Sequence, residues 1–386
     1  MCIVHCAFFF NFAVVKVKII ENIEDFPQFE AQNVFQTKEW MHLFEKEDDT
    51  KVVIFAVYAQ CTIHNSQCTM HNAQCTMHNS QCTIHNAEFA MQNTGCRMEN
   101  AELDEIRDME KPQLLLLQPV TIQRFVKWLP WRLGAYAVAW REPWRNNEIS
   151  DDEAQEAFVV VARAIEKYCR SRALYVEFRH FTKENIYHFF LMRYCKLLPW
   201  YNIYHQFSAG ESVEQGMNKS KRKQLRQSFE AGENIELNPN DDEIREWYVL
   251  LQKLYRRIHR PLPSLQVFLK LNNSGIGKVF VVKYQNKVIS GSAILYLLSK
   301  EKNSQLSTLN SQLFYDWYRA SINEQIERVY PSVVSTWQAM QLVAEMGGGT
   351  FDVMGAGPRN KPYGVRDFKL TFGGELTTEY RYRKWL

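Results

Sequence analysis

The chain carries a seven-residue repeat that limits what its first half can form. The segment from Ala59 to Asn86 reads AQCTIHNSQCTMHNAQCTMHNSQCTIHN, which is four copies of one unit. Side chains of a β-strand alternate between two faces, so an odd repeat would move the cysteine of each copy to the opposite face. A helix would instead keep the cysteines and histidines on one face, because they are three and four residues apart. The repeat therefore excludes a regular strand over these residues.

Each copy also offers a thiol and an imidazole, which are zinc ligands. A zinc site needs four ligands at one point, whereas one helix would spread them along ~10 Å for each repeat. The near-identical spacers indicate duplicated coding sequence, and a second period of seven runs from Asn303 to Leu313. We interpret the segments 59–100 and 303–313 as insertions tolerated by loops, with an ordered helix and a metal site as the alternatives. The pairs are Cys61 and His64, Cys68 and His71, Cys75 and His78, and Cys82 and His85.

Composition narrows the function only slightly. A chain of 386 residues is long enough for two domains, and 46% apolar with 23% charged residues is typical of a globular protein. The net charge of +3 is too small to predict a nucleic-acid or membrane surface. Nine cysteines, an odd number without a CxxC pair, indicate reduced thiols in a cytoplasm.

The N-terminal residues 1–15 are apolar, but no basic residue precedes their hydrophobic run and they are too short to span a bilayer. We expect a loose or apolar extension or a buried strand there, with a signal or anchor as the alternative. We expect no transmembrane helix elsewhere.

Hydrophobic patterns in the remaining sequence predict α+β structure in two similar lobes of mixed, mostly antiparallel sheet flanked by helices. Each lobe has a predicted hairpin followed by a predicted helix. These segments are 51–58, 113–125 and 151–172 in the first lobe, and 277–284, 287–298 and 333–346 in the second. The predicted domains are 16–208, interrupted by the insert 59–100, and 209–386, which contains the short insert 303–313.

A basic helix is predicted from Glu214 to Ala231. Four of its basic residues follow at i, i+3, i+4 and i+7, which places them on one helix face. Such a face suits the phosphates of a nucleotide-linked substrate or of an RNA backbone. A solvated charged surface is the alternative interpretation. The four residues are Lys219, Arg222, Lys223 and Arg226.

The segment from Gly355 to Gly374, GAGPRNKPYGVRDFKLTFGG, combines glycines with basic residues. Glycine lets the backbone approach a ligand closely, so the segment predicts a binding loop, with a simple turn between strands as the alternative. It is not a dinucleotide fingerprint, because GAGPRN lacks the third glycine. The basic residues are Arg359, Lys361, Arg366 and Lys369.

Common hydrolase motifs are absent from the sequence, which contains neither GxSxG nor HExxH. We therefore interpret Ser335, Thr336 and Trp337 as residues that cap and pack a helix, and Cys169 as a core residue. We interpret four histidines as structural, namely His180, His188, His205 and His259.

Three segments resemble the FemABX-type peptidoglycan-bridge aminoacyltransferases, which are built from paired GNAT-like domains. FQTKEW at 35–40 resembles their opening helix, and KSKRKQLRQSFEAG at 219–232 resembles their basic segment. The segment 334–376, which contains FKLTFGG, resembles their closing helix, strand and FK-x-x-FGG signature and is the most specific. The resemblance covers the chain from Phe35 onward without the two inserts.

The resemblance implies transfer of an aminoacyl group from charged tRNA to an amine of a nucleotide- or lipid-linked muramyl-peptide precursor. It implies no metal and no tightly bound cofactor, with aminoacyl-tRNA as co-substrate. The reaction would occur in a bacterial cytoplasm, with peripheral contact at the inner face of the membrane.

The resemblance also assigns residues to roles. The family lysine after phenylalanine, here Lys369 after Phe368, would stabilise the tetrahedral intermediate, where one donor is typically worth roughly 3–4 kcal/mol. Asp352 or Asp367 would accept the proton of the amine. The expected substrate-binding residues are Lys219, Arg222, Lys223, Arg226, Tyr255, Arg256 and Arg366.

The sequence is consistent with three functions. The first is an aminoacyl-tRNA-dependent transferase acting on a cell-wall precursor. The second is an N-acyltransferase that uses acyl-CoA, although the pyrophosphate loop of ordinary GNAT enzymes is absent. The third is a binding protein whose site has decayed, since the insert in the first lobe would be able to block the cleft.

Overall fold

The structure, a computed structural model, describes residues 4–5, 14–60, 112–181, 185–297 and 312–386. Nearly all of both heptad inserts and most of the N-terminal extension lie outside these residues. The interpretations of those segments, including the metal alternative for the Cys/His repeat, therefore stay predictions.

Nine α-helices are found in the described part of the chain. They are α1 (Lys38–Leu43), α2 (Trp131–Gly134), α3 (Asp151–Cys169), α4 (His188–Tyr194), α5 (Lys219–Glu230), α6 (Asp241–Arg257), α7 (Leu265–Asn272), α8 (Pro331–Glu345) and α9 (Gly364–Leu370). Short 3₁₀ segments are Ile23–Asp25, Val34–Gln36 and Val213–Gln215. None of the described helices is long and apolar enough to cross a membrane.

The strands alternate with these helices along the chain. They are β1 (Val4–His5), β2 (Val14–Ile20), β3 (Thr50–Gln60), β4 (Gln113–Arg124), β5 (Ala135–Trp140), β6 (Trp144–Arg145), β7 (Tyr175–Phe181), β8 (Lys196–Ser208), β9 (Asn234–Glu236), β10 (Gly277–Tyr284), β11 (Lys287–Leu297), β12 (Leu313–Ser321), β13 (Gly348–Asp352) and β14 (Glu375–Trp385).

The described residues form two compact units, each made of separate stretches of the chain. The first unit draws on Met1–Ile20, Ile54–Gln118 and Pro143–Lys167. Its strands β2 and β3 pair antiparallel, from Val14 opposite Gln60 to Ile20 opposite Ile54, and β6 pairs with β4. The second unit draws on Glu21–Val53, Pro119–Glu142 and Tyr168–Leu386.

Helix α3 lies mostly in the first unit and begins where the sequence predicted. The Ser150 hydroxyl accepts a hydrogen bond from the Glu153 backbone N–H at 3.3 Å, and the Glu153 carboxylate accepts one from the Ser150 backbone at 2.8 Å. This reciprocal capping makes Ser150 the N-cap. The buried positions recur at helical spacing, namely Ala154, Ala157, Phe158, Val161 and Ile165.

In the second unit the strands lie in the order β4-β5-β7-β14-β8-β13-β12-β11-β10-β9. Two pairs are parallel, β5 with β7 and β12 with β13, and the other pairs are antiparallel. The chain passes through a helix between the members of each parallel pair, α3 in the first case and α8 in the second. This mixed, mostly antiparallel arrangement confirms the predicted α+β class.

Strand β14 joins segments that are far apart in the sequence. Its Arg383 lies opposite Glu177 of β7 on one side and opposite Lys196 of β8 on the other. A strand of the predicted second domain thus lies between two strands of the predicted first domain. The predicted boundary between residues 208 and 209 stays a prediction.

A hydrophobic core packs α8 onto the sheet of the second unit. Phe280, Phe314 and Phe351 contribute from three strands, and Met340 and Val343 contribute from the helix. Each of these five side chains is at most 1% exposed. Burying one such side chain stabilises a fold by roughly 1.5–3 kcal/mol, so this core gives the strands that carry the candidate site a rigid support.

Several predicted boundaries shift for identifiable reasons. The hairpin of β10 and β11 is confirmed, and its turn residues Gln285 and Asn286 have φ of 48° and 65°, as a type I′ turn requires. The basic helix begins at Lys219 rather than Glu214, because the Asn218 side chain caps it by accepting from the backbone N–H of Lys221.

Two further differences concern the C-terminal half. Helix α8 begins at Pro331, so Ser335, Thr336 and Trp337 lie inside the helix and do not cap it. The segment after the GAG turn contains the short helix α9, where a turn between strands was the alternative interpretation. Proline at the first helical position has its φ already set for a helix, which explains the earlier start of α8.

Candidate functional site

A cavity of about 290 Å³ lies in the second unit and combines aromatic with basic side chains. Aromatic rings pack against planar or apolar groups, and guanidinium groups bind carboxylate or phosphate. The cavity therefore suits a ligand that has both features. The aromatic lining residues are Trp40, Phe44, Tyr136, Trp140, Trp200, Tyr255, Trp317, Tyr318 and Tyr363, and the basic ones are Arg179, His180, Arg260 and Arg381.

The parallel strand pairs bring much of this wall together. Trp140 is the last residue of β5, and Arg179 and His180 lie near the carboxyl end of β7. The chain that leaves β13 supplies Met354 and Gly355. In sheets with parallel strands, ligands bind beyond the carboxyl ends of those strands, so the position of the cavity follows from the topology.

A β-bulge in β7 brings two neighbouring side chains to the cavity. Phe178 and Phe181 of β7 lie opposite Tyr382 and Tyr380 of β14. Two residues, Arg179 and His180, separate the phenylalanines, whereas Arg381 alone separates the tyrosines. His180 takes up the extra residue with a left-handed backbone, at φ of 61°. Neighbours in a regular strand point to opposite faces, and the bulge allows both residues to line one cavity.

Three arginines share one buried carboxylate beside the cavity. Glu177 Oε1 lies 2.5 Å from Arg179 Nε and 3.8 Å from Arg381 NH1, and Glu177 Oε2 accepts from Arg383 at 2.8 and 3.0 Å. The Arg381 guanidinium stacks on Trp200 at 3.9 Å. Burial and the charge of Arg179 lower the pKa of Arg381 to about 9. The excess positive charge favours an anionic ligand.

A buried hydrogen-bond network connects two more carboxylates of the second unit. Asn202 Nδ2 donates to Asp352 Oδ1 at 2.8 Å and to Glu379 Oε1 at 2.9 Å. Arg141 NH1 donates to Asp352 Oδ2 at 3.0 Å, and His180 Nδ1 lies 2.7 Å from Glu379 Oε2. Because His180 also lines the cavity, this network reaches the cavity wall.

Three members of the network have side chains of the kinds that bind metal ions. The ligand atoms of His180, Asp352 and Glu379 all lie within 4.8 Å of one another. Their carboxylates are nevertheless already engaged, since Asp352 pairs with Arg141 and Glu379 accepts from the hydroxyl of Tyr204 and from the imidazole. These donors satisfy the buried carboxylates without a cation.

Gly355 links the network to the predicted catalytic lysine. Its N–H donates to Asn202 Oδ1 at 2.8 Å, and its carbonyl accepts from Lys369 Nζ at 3.0 Å. The same ammonium donates to the carbonyl of Val353 at 2.7 Å. Gly355 itself lines the cavity, so the Lys369 ammonium lies directly behind the cavity wall.

The surroundings of Lys369 also change its acidity. Burial lowers the pKa of Lys369 to about 8, and the charge of Arg319 acts in the same direction, against Asp316 and Asp352. The residue is therefore still largely protonated at neutral pH. A protonated lysine in a partly desolvated position is a strong hydrogen-bond donor to an oxyanion.

Replacing Gly355 by alanine is expected to destabilise the protein by roughly 1–3 kcal/mol. An added Cβ would lie 3.1 Å from Trp200 Nε1 and 3.2 Å from Arg381 NH2, and the φ of 108° strains any L-residue. Calorimetric unfolding measures the loss. Gly210→Ala is the matched control, because Gly210 has a φ of 70° but no atom within 4 Å of the added Cβ. Equal losses in the two variants would contradict the steric argument.

The four basic residues predicted on one helix face are exposed on α5, and none of them lines the cavity. Arg222 NH1 donates to the carbonyl of Glu214 at 3.1 Å, and Arg226 Nε lies 3.5 Å from Glu230. Their phosphate-binding role stays a prediction. The set is Lys219, Arg222, Lys223 and Arg226.

The other predicted substrate-binding residues lie in different surroundings. Tyr255 lines the cavity, whereas Arg256 is exposed in the last turn of α6. Arg366 donates to the carbonyls of Pro358 and Lys361 at 3.1 and 2.9 Å, so it holds the loop before α9. Of these three residues, Tyr255 is therefore the one that the structure places at the cavity.

The two predicted proton acceptors also differ. Asp352 is buried, and besides its two side-chain partners it accepts from the backbone N–H of Met354 at 2.7 Å, so three hydrogen bonds already engage its oxygens. Asp367 is exposed in the first turn of α9. Phe368 packs its ring 5.2 Å from that of Phe372, and the Lys221 ammonium lies 5.0 Å from the Phe368 ring. The roles of these residues stay predictions.

Sequence reasoning did not single out Arg179, Arg381 or Glu379, and it interpreted His180 as structural. The strands that carry them, YVEFRHF and ELTTEYRYRKW, alternate aromatic residues with charges of both signs. Charges at alternate positions of an otherwise aromatic strand share one face, and a buried face of this kind needs charge partners. That pattern was the available signal.

No protein-family model and no curated protein sequence matches the chain. Among solved structures, the chain is similar to the crystal structure of FemX, with 11% identity, a TM-score of 0.52 and coverage of 94% of each chain. The tandem GNAT protein from the clavulanic acid biosynthesis pathway has 7% identity, a TM-score of 0.46 and coverage of 96% of this chain and 98% of its own. L-PGS from Bacillus licheniformis has 11% identity, a TM-score of 0.45 and coverage of 68% and 80%. The chain therefore has the fold of FemX, as its resemblance to the FemABX-type proteins predicted.

Proposed function

We propose that the protein is an acyltransferase that moves an aminoacyl group from an activated ester to an amine of an anionic acceptor. The observation that carries the proposal is the position of Lys369, whose ammonium is hydrogen-bonded to the carbonyl of Gly355 at the wall of an arginine-bearing cavity. The FemX-like fold and the FK-x-x-FGG signature around Lys369 support the same class of reaction.

The chemistry requires stabilisation of negative charge on the carbonyl oxygen. The acceptor amine attacks the ester carbonyl, a C–N bond forms, and the oxygen becomes an oxyanion until the C–O bond to the donor breaks. The ammonium of Lys369 would donate to that oxyanion. The carbonyls of Val353 and Gly355 hold the ammonium next to the cavity wall beforehand.

The charges of the second unit support a phosphate- or carboxylate-bearing acceptor. Arg179 and Arg381 line the cavity and share Glu177 as a counter-charge, and aromatic rings surround them. A nucleotide-linked muramyl peptide offers phosphates, a planar base and a free amine. The exposed basic face of α5 suits the phosphates of a tRNA donor. A tRNA donor would place the reaction in a bacterial cytoplasm.

The test is the mass of the product. The full chain would be incubated with a nucleotide-linked muramyl pentapeptide and either charged tRNA or an acyl-CoA mixture, and the peptide analysed by mass spectrometry. We expect the mass of one amino-acid residue to be added with charged tRNA alone.

The other outcomes each lead to a different conclusion. An acyl mass added only with acyl-CoA would replace the donor and make the protein an N-acyltransferase. No added mass with either donor, together with tight binding of the muramyl peptide, would overturn the enzyme proposal in favour of a binding protein.

A further inference from the structure

The bulge in β7 holds His180 in an unusual conformation at the cavity. A left-handed backbone in a residue other than glycine costs on the order of 1–3 kcal/mol and persists only where the surroundings enforce it. His180 has a φ of 61°, is 3% exposed and lies in a strand between Arg179 and Phe181. Such strain concentrates at functional sites, which makes His180 a candidate for a functional role.

The imidazole of His180 is oriented by a carboxylate. Its Nδ1 lies 2.7 Å from Glu379 Oε2, while Glu379 Oε1 accepts from Asn202 at 2.9 Å and from Tyr204. A carboxylate only accepts, so the proton of the imidazole lies on Nδ1 and Nε2 is the basic nitrogen. Among the described residues, Nε2 has no hydrogen-bond partner, and the ring stacks on Trp140 at 6.0 Å.

A chain of hydrogen bonds connects this histidine with the lysine proposed to bind the oxyanion. It runs from His180 through Glu379 and Asn202 to Gly355, whose carbonyl accepts from Lys369. His180 and Gly355 both line the same cavity. A basic nitrogen and an oxyanion donor are thus fixed to one framework, as acyl transfer to an amine requires.

We propose that His180 is the general base of the reaction and that Glu379 positions it; this inference rests on the proposed acyl transfer. As the amine nitrogen bonds to the ester carbonyl, its proton passes to Nε2 of His180. As the C–O bond breaks, the imidazolium returns that proton to the departing oxygen. The products are an amide and an alcohol, and Glu379 stabilises the transient imidazolium.

Two substitutions of His180 test the assignment. His180→Asn suits the left-handed backbone and retains an N–H that can reach Glu379, but it cannot take up a proton. We expect it to lower kcat about 10²- to 10⁴-fold with little change in KM for the muramyl pentapeptide. His180→Gly also suits the backbone and leaves a space for free imidazole, which we expect to restore part of the lost kcat.

Glu379→Gln tests the positioning residue. The amide retains the shape of the carboxylate but cannot stabilise an imidazolium by charge, so we expect a smaller fall in kcat than in His180→Asn, with KM unchanged. Circular dichroism would confirm that each variant is folded. Lys253→Ala, an exposed substitution on α6, is the control and should leave both constants unchanged.

The outcomes separate this inference from the proposed function. A wild-type protein that transfers an amino-acid residue while His180→Asn retains kcat within about twofold would overturn the role of His180 and leave the acyltransferase proposal intact. Failure of imidazole to restore activity in a folded His180→Gly variant would also count against it. A wild-type protein that forms no product would overturn the acyltransferase proposal, and the role of His180 with it.

Discussion

Replacing Lys369 by alanine is expected to lower kcat for transfer by about 10²- to 10³-fold, which is the typical effect of removing one oxyanion donor. The interaction with Lys369 exists only once negative charge develops, so KM should change little. Steady-state kinetics with the donor identified by the product mass would measure both constants. Lys253→Ala, which removes an exposed lysine of α6, is the matched control. A variant with unchanged kcat would contradict the role of Lys369.

The same substitution has a pH signature that does not depend on activity. The pKa of Lys369 is about 8 in the folded protein and 10.5 in the reference state. Between pH 8 and pH 10.5 the unfolded chain binds more protons than the folded protein does. The free energy of unfolding of the wild type therefore rises with pH over this range, relative to that of Lys369→Ala. The shift corresponds to about 3 kcal/mol over this window. Urea unfolding at several pH values would measure it, and parallel pH curves for the two proteins would contradict it.

Replacing Glu177 by glutamine is expected to lower the free energy of unfolding by roughly 3–5 kcal/mol. The carboxylate is 1% exposed, and three arginines depend on it. Glutamine has nearly the same shape but no charge, so Arg179, Arg381 and Arg383 would repel one another in a partly buried position. Chemical unfolding would measure the loss, and Glu156→Gln on the exposed face of α3 is the control.

Two further measurements sharpen the Glu177 prediction. Adding Arg383→Met to Glu177→Gln should recover part of the stability, because it removes one of the unpaired charges. Burial alone would raise the pKa of Glu177, but the arginines hold it at about 2. The wild type should therefore lose about 3 kcal/mol more than Glu177→Gln as the pH falls from 4.5 to 2. A loss below 1 kcal/mol at neutral pH would contradict the prediction.

The sequence predicted the elements well where local signals were strong. The apolar runs 277–284 and 287–298 on either side of Gln285-Asn286 predicted the hairpin of β10 and β11. The helix predicted over 151–172 is α3, whose start is fixed by the capping pair Ser150 and Glu153. Predicted boundaries were wrong where a capping side chain sets the end of a helix. Because Asn218 caps α5, the helix begins at Lys219 and not at Glu214, as the charge pattern predicted.

The candidate site was predicted only in part, because its residues meet through tertiary structure. The FKLTFGG signature pointed to Lys369, and the GAG segment pointed to Gly355. The bulge that turns His180 to the cavity depends on the register between β7 and β14, which pairs residues about 200 positions apart. No local pattern specifies that register, so the partnership of His180 with Glu379 became visible only in the folded chain.

The place of β14 between β7 and β8 has a consequence for folding kinetics. During synthesis β7 and β8 emerge well before β14 does. They can pair with β14 only after the long chain segment between β8 and β14 has been made and its ends have met. Pairings of such sequence separation slow folding and leave strand edges unpaired in the meantime. Because β14 brings Glu379, Arg381 and Arg383, an intermediate without it lacks the carboxylate that orients His180 and two of the three arginines that pair with Glu177. The ability to bind ligand would therefore appear only once the sheet is complete. During refolding, the rate at which this ability appears would equal the rate at which β14 docks.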